Sequence, residues 1–309
     1  MKFFKKIILL ALPFLIGAVA ITGCNDKENV TPADTVDTLL STTGNLSIFK
    51  AALEKTGLNS FSKGGGPFTF FAPSDDAFKA TGINTIADLN AIDNNLLAQV
   101  LSYHIMTGSR TLIEIPSGPN APAASIGTLS FYASKNANGA FINGSKIIQA
   151  DIKGSNGIIH VIDKVLTPPF TNLLATLAAN TNFKLLVQGI NKAALGATFS
   201  GTTVYTVFAP TNAAFVAGGY DSTTIANLSG AALTTFTNTL RYHLVAGRMF
   251  SSEFKAGTVK TVQGSNVTIS FSGGTKIKGV TNPTPASVTA TDFLTSNGII
   301  HTIDGVLKF

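Results

Sequence analysis

Four histidines, several aspartates and one cysteine are the side chains of this 309-residue chain that could carry chemistry. The histidines fall into matched pairs. His104 and His243 each follow a tyrosine, Tyr103 and Tyr242, and His160 and His301 each end an Asn-Gly-Ile-Ile-His run. An imidazole can act as a general base or bind zinc, but zinc needs three or four His, Cys or carboxylate ligands brought together. Each half of the chain has only two histidines, and no His-Glu-x-x-His pattern occurs, so zinc hydrolysis has no support. A strand over 157–166 places Ile158, His160 and Ile162 on one face, and its second copy does the same with Ile299, His301 and Ile303. A histidine between two isoleucines reads as a buried, hydrogen-bonded core residue. Asp151 and Asp292 precede that strand, and Asp163 and Asp304 fall inside it. Paired carboxylates can cleave glycosides, yet these recur in frame with the repeated blocks, and turn or backbone hydrogen bonding accounts for them. There is no Gly-x-Ser-x-Gly elbow, and Gly64-Gly65-Gly66 lacks the Lys-Ser/Thr ending of a phosphate loop. No catalytic residue, metal site or cofactor is assigned, and the chain is expected not to be an enzyme.

The elements that hold these residues come in two copies. FTFFAPSDDAF at 68–78 returns as YTVFAPTNAAF at 205–215, LSYHIMTGSR at 101–110 as LRYHLVAGRM at 240–249, and SNGIIHVIDKVL at 155–166 as SNGIIHTIDGVL at 296–307. The order is kept and the offset drifts only from 137 to 141 residues, so whole domains are duplicated in tandem. The junction falls at Thr167-Pro168-Pro169, giving domains over 37–167 and 168–309. Apolar spacing predicts helix over 37–57, ending at Gly57, and again over 86–106. Residues 68–72 read as a buried strand, after which Ser74 or Thr211 can cap a short helix. Past Gly108, short segments of Ile, Phe, Val and Thr alternate with Gly, Asn and Pro turns and read as strands. Helices first and strands later indicate an α+β domain.

The N-terminus reads as an address. Lys2, Lys5 and Lys6 precede an apolar run over 7–21, a secretory signal too short to span a membrane comfortably. The run ends in Ile21-Thr22-Gly23-Cys24, which resembles a bacterial lipobox. That resemblance implies a signal peptide over 1–23, a diacylglyceryl group on Cys24 and a polar tether over 24–36. Several acyl chains anchor firmly where one binds only marginally. Asp26 and Glu28 just behind Cys24 are similar to the acidic stretch that sends some bacterial lipoproteins to the outer face of the outer membrane. The expected location is the cell envelope, lipid-anchored at the outer membrane and exposed at the surface.

The three repeated blocks together resemble the fasciclin-like domain family. Copy one carries Phe71-Ala72-Pro73-Ser74-Asp75, Tyr103-His104 and Asn156 through Pro168; copy two carries Phe208-Ala209-Pro210-Thr211-Asn212, Tyr242-His243 and Asn297 through Leu307. Copy one departs from the family pattern in having Ser74 and Asp75 for Thr and Asn. The resemblance implies two tandem domains, each a twisted β-sandwich or open barrel flanked by helices, and an extracellular adhesion or ligand-binding module without enzyme activity. In animal relatives the Tyr-His segment is linked to integrin binding. Tyr103, His104, Tyr242 and His243 are therefore candidate ligand contacts, against a structural reading of both histidines as helix-end residues bonded into the core.

Charge separates the copies. The first has nine basic and nine acidic residues, the second nine basic and four acidic, with Arg241, Arg248, Lys255, Lys260, Lys276 and Lys278 in its later half. This is either a solvated surface with drifted charge or a basic face that meets acidic polysaccharide or lipopolysaccharide phosphate, which adds Arg241 and Arg248 to the candidates. The net charge of +6 includes three lysines of the signal and is too weak and dispersed for a nucleic-acid partner. The partners expected are the membrane, through the N-terminal lipid, and an extracellular protein or polysaccharide. Recognition is expected where the copies differ, at 115–125 and 250–290. The function expected is adhesion; the alternative is a carbohydrate-binding component of a glycan-uptake or biofilm-matrix system, which the absence of Trp disfavours.

Overall fold

The structure, a computed structural model, describes residues 34–115 and 121–309. The signal peptide, Cys24 and most of the tether lie outside the described residues. Among those described, no helix is long and apolar enough to cross a membrane.

Copy one contains strands β1 (Phe68–Pro73), β2 (Ile105–Thr107), β3 (Ala121–Ala124), β4 (Ser130–Asn136), β5 (Gly139–Ile142), β6 (Ser145–Gly154) and β7 (Gly157–Ile162). Copy two repeats them as β8 (Tyr205–Pro210), β9 (Leu244–Ala246), β10 (Gly257–Lys260), β11 (Asn266–Ser270), β12 (Lys276–Lys278), β13 (Ala286–Thr295) and β14 (Gly298–Ile303). Each copy forms one seven-stranded sheet, in the order β2-β1-β7-β6-β5-β4-β3 and, read from the other edge, β9-β8-β14-β13-β12-β11-β10. Only β1 with β7 and β8 with β14 run parallel. These pairs are the first and last blocks of the repeat, brought side by side. The sheet curls until its ends meet: Ile126 N–H donates to the Ile105 carbonyl (2.8 Å), and Val262 N–H to that of Leu244 (2.8 Å). The result is an open barrel in an α+β domain, as the family resemblance implied.

The central pair is buried on both faces, so every residue of β7 and β14 is buried, the polar His160, His301 and Thr302 included, rather than every second one. Phe70, Ala72, Ile159 and Val161 face a helical layer that includes Phe49, Leu53, Leu97 and Leu101. Phe71, Ile162, Phe131 and Ile142 fill the barrel. Copy two divides its core the same way, with Val207 and Ile300 toward the helices and Phe208 and Ile303 in the barrel.

Local rules set the helices. The helix Ser47–Thr56 stops at Gly57, whose φ of 74° is left-handed and suits glycine. The single helix expected over 86–106 is instead three pieces: a 3-10 turn Ile86–Ala91, an α-helix Asn94–Tyr103 and strand β2. Asp93 causes the break, because its side chain accepts the Leu96 N–H (2.9 Å) and starts a new helix. The strand expected over 157–166 ends at Ile162, so Asp163 and Asp304 lie just past it.

Candidate functional site

The first repeated block is a capping device. Ser74 Oγ accepts the Ala77 N–H (3.1 Å) and Thr211 Oγ1 that of Ala214 (3.2 Å), so Ser and Thr start the same short helix. The next residue reaches a neighbouring helix. Asp75 accepts from Ile48 N–H (2.9 Å) and Ser47 Oγ–H (2.9 Å), satisfying first-turn donors of Ser47–Thr56. Asn212 accepts the Leu185 N–H (2.9 Å) and also donates to the Thr181 carbonyl (2.8 Å). The departure at Asp75 therefore keeps the cap and drops one donor.

The Tyr-His pairs lie in the interior. Tyr103, His104, Tyr242 and His243 are each at most 1% exposed. Leu166 N–H donates to His104 Nε2 (2.8 Å), which leaves the proton on Nδ1 to be donated to the Val100 carbonyl (2.8 Å). His243 repeats this between Leu307 N–H (2.9 Å) and the Thr239 carbonyl (2.7 Å). Each ring bolts a helix end to the chain beyond the last strand. Burial drives both pKa values down to about 4 against the backbone acceptor that raises them, so both rings are neutral at physiological pH. The phenols point into the barrels. Tyr103 Oη donates to the Ser130 carbonyl (2.7 Å) and accepts from Asn143 Nδ2 (2.9 Å); Tyr242 Oη donates to that of Asn266 (2.5 Å). The ligand-contact role considered for these four residues is corrected to an internal one. Each imidazole has both nitrogens engaged, and none of the four side chains has surface to offer.

The last block welds the domain shut. Asn156 accepts the Val36 N–H and donates to the Ser62 carbonyl (both 2.8 Å), tying the first helices to the final hairpin. Asn297 does the same with Leu173 (2.8 Å), Phe199 (3.0 Å) and Gly201 (2.7 Å). The following glycine is forced by close approach: a Cβ on Gly157 would stand 2.3 Å from the Phe68 carbonyl oxygen, and one on Gly298 2.1 Å from that of Tyr205. His160 and His301 adopt the tautomer opposite to that of the first pair. Nε2–H donates to the carbonyls of Arg110 (2.8 Å) and Met249 (2.9 Å), and Nδ1 accepts the N–H of Asp151 and Asp292 (both 3.3 Å). Those aspartates are the bulge residues of β6 and β13, at left-handed φ values of 58° and 66°. Their carboxylates accept the N–H of Leu112 (2.8 Å) and Ser251 (2.7 Å). Asp163 and Asp304 take the backbone N–H of Lys146 (2.7 Å) and Ser287 (2.6 Å). Among the described residues no group of His, Cys, Asp or Glu is placed to hold a metal.

The copies differ outside. On β4, Phe131 and Ala133 enter the barrel, so Tyr132, Ser134 and Asn136 point out of it, and copy two covers that side. Arg248 lies over the Tyr132 ring (4.5 Å from its centroid) and donates to the Ser296 carbonyl (2.7 Å). Phe250 packs on Tyr132 with ring centroids 6.2 Å apart, and Asn136 Nδ2 donates to the Ser252 carbonyl (2.6 Å). Lys164 reaches the nearly buried Asp292 (3.6 Å). Gly144, at the tip between β5 and β6, approaches that carboxylate so closely that a Cβ would lie 2.7 Å from it. Clefts of about 400 and 480 Å³ flank the contact. Arg248 thus acts between the domains, while Arg241 is exposed on the helix Gly230–Tyr242. Sequence reasoning passed over Tyr132. Its one signal was its place between two core residues, which sends it outward.

Two copies of a mixed seven-stranded barrel with packed interiors define a tandem module. The fasciclin domain matches residues 44–168 and 181–309, and the chain belongs to that family. It is 26% identical over 253 residues to the transforming growth factor-beta-induced protein ig-h3 of Sus scrofa, covering 79% of this chain and 35% of that one. With Protein sll1483 of Synechocystis it shares 39% identity over 105 residues, 34% of this chain and 57% of the relative. The chain thus spans between about a third and just over half the length of these relatives. A solved FAS1 domain pair from the insect cell adhesion molecule fasciclin I aligns over 85% of this chain and 96% of that one, at 20% identity and a TM-score of 0.42.

Proposed function

We propose that the chain displays a non-catalytic adhesion or ligand-binding surface from the cell envelope, tethered through a lipid on Cys24. One observation carries the reading. In both copies every histidine, and the aspartate beside each hairpin histidine, serves as an internal hydrogen-bond partner in the same place. A general base needs a free lone pair within reach of substrate; these rings have none. What the fold leaves for function is exterior, and membership of the fasciclin family supports a binding role there. The lipobox-like segment and the polar tether supply a means of holding the pair at a membrane.

The test is attachment by intact cells. Cells making the native chain are expected to bind a matrix-coated surface and to lose the chain to added protease. Cells making Cys24→Ala are expected to release it and to lose attachment. Attachment unchanged by Cys24→Ala, or a chain shielded from protease until lysis, overturns the reading.

A further inference from the structure

The ladder registers align the outer faces of the two barrels residue by residue. Tyr103 and Tyr242 bond to Ser130 and Asn266, which makes those two residues equivalent. In copy one, β3, β4 and β5 pair Pro122 with Tyr132, Ala124 with Ser130 and Ser134 with Phe141, and the turn after β5 sets Asn143 against Tyr132. In copy two, the same positions pair Thr258 with Thr268, Lys260 with Asn266, Ser270 with Lys276 and Thr268 with Lys278. Paired residues in adjacent strands point to the same side, and here the opposite side is fixed as interior by Val267, Ile269 and Ile277. The face that copy one gives to its neighbour, with Tyr132 and a buried Phe141, is therefore an open face in copy two. Lys276 replaces Phe141 and Lys260 replaces Ala124, while Lys278 stands at the position of Asn143, whose own side chain turns inward to Tyr103.

We propose that this outer face of β10, β11 and β12 binds an anionic polysaccharide. The inference rests on the display reading above and names its surface and ligand class. Three lysines are set among Thr258, Asn266, Thr268 and Ser270, with no Asp or Glu on the three strands. Lys260, Lys278, Asn266 and Thr268 are exposed. Lys276 is half-buried and donates to Ser287 Oγ (2.7 Å). Asp304, beside Ser287, has an oxygen engaged by the Ser287 N–H. Strands lie about 4.8 Å apart and same-side residues about 6.8 Å apart, so cations and hydroxyls form a grid on the scale of a sugar ring. A protein partner would need an apolar or aromatic anchor at the centre of the contact. Copy one has that anchor at Tyr132; copy two has Thr268 in its place. Cations for carboxylate, sulfate or phosphate groups, with hydroxyl and amide partners for sugar hydroxyls, are what the grid supplies.

The test uses the full chain in detergent, with alginate, dextran sulfate and neutral dextran as immobilised probes. The native chain is expected to hold both polyanions and not dextran, with binding falling steeply as salt rises, because exposed charges are screened beyond a Debye length of about 10 Å at 0.1 M. The triple variant Lys260→Gln, Lys276→Gln, Lys278→Gln is expected to lose at least about tenfold in affinity with its melting temperature kept. The variant Lys63→Gln, Lys153→Gln, Lys184→Gln removes the same net charge elsewhere and is expected to lose less than about twofold. Equal losses in the two triples overturn the assignment, as does equal binding to neutral dextran. Absence of binding to either polyanion, while cells still attach through the native chain, overturns this assignment and leaves the display reading standing.

Discussion

The four histidines make the same bonds in both copies, while the outer sheet faces have diverged. Inside, Leu166 and Leu307 donate to His104 and His243, and Arg110 and Met249 accept from His160 and His301. Outside, the position that is Tyr132 under Arg248 in copy one is an exposed Thr268 in copy two. Duplication alone would have left two equal faces. One has become a joint between domains, and its twin carries lysines. What stays constant is what the chain needs in order to fold, and what varies reports what each face touches.

The largest effect tests the shared interior. Burial lowers the pKa of His104 and His243 to about 4, and that of His160 and His301 also moves down. In the unfolded chain each ring takes up a proton near pH 6.5, while the folded ring stays neutral. The unfolded state therefore binds more protons between about pH 6.5 and 4, and stability falls as pH falls across that window, levelling off below it. For each of the two helix-end rings the full loss is on the order of 3 kcal/mol. A charged ring would also turn an N–H against the N–H of Leu166 or Leu307. Urea unfolding between about pH 7 and 4.5 is expected to show this steep decline. His104→Gln and His243→Gln should each flatten it by about one proton while costing about 1–3 kcal/mol at neutral pH. A slope unchanged by either substitution breaks the claim of neutral buried rings, and unequal changes break the equivalence of the copies. Asp88, Glu114 and Asp221, held below their ordinary values chiefly by backbone hydrogen bonds, add their losses only at lower pH.

The next effect separates the outer faces. Tyr132→Ala removes an aromatic contact and the ring beneath Arg248, and is expected to cost about 1–2 kcal/mol and loosen the domain pair. Thr268→Ala, at the matching place in copy two, is expected to cost less than about 0.5 kcal/mol. Urea unfolding gives the energies, and solution scattering reports the loosened pair as a larger radius of gyration for Tyr132→Ala alone. Equal behaviour of the two variants would mean that β4 and β11 do not differ in use.

This contrast also shows how far the sequence could be read. Duplication was legible because whole blocks recur in order, and the α+β class because helices precede strands in each copy; the cap at Ser74 and Thr211, the stop at Gly57 and the isoleucine-flanked histidines were legible because each depends on spacing within one segment. Asp93 was hidden for a local reason: the apolar spacing runs unbroken through a residue whose side chain restarts the helix. Arg248 and Tyr132 were hidden for a non-local one. Alternation says that a residue points outward, but only assembly says whether water or another domain waits there. Hence Arg248 read as a surface cation like Lys260, although it lies on Tyr132 of the other domain.

Lys164 gives the smallest and most specific test. In the third repeated block it stands where copy two has Gly305, in an otherwise nearly identical stretch. Its ammonium lies 3.6 Å from Asp292 across the joint, half exposed against a carboxylate that is 4% exposed. That carboxylate already accepts the N–H and hydroxyl of Ser251, so losing the lysine does not strand it. Lys164→Ala should therefore cost only about 0.5 kcal/mol at low salt, and nothing measurable near 0.5 M NaCl. In an Asp292→Ala background it should cost nothing at either salt, because the pair is already broken. A cost that survives both conditions would place the lysine's contribution in the packing of its alkyl chain rather than in its charge. The joint would then be a hydrophobic contact with an incidental ion pair, and the divergence between Lys164 and Gly305 would concern shape.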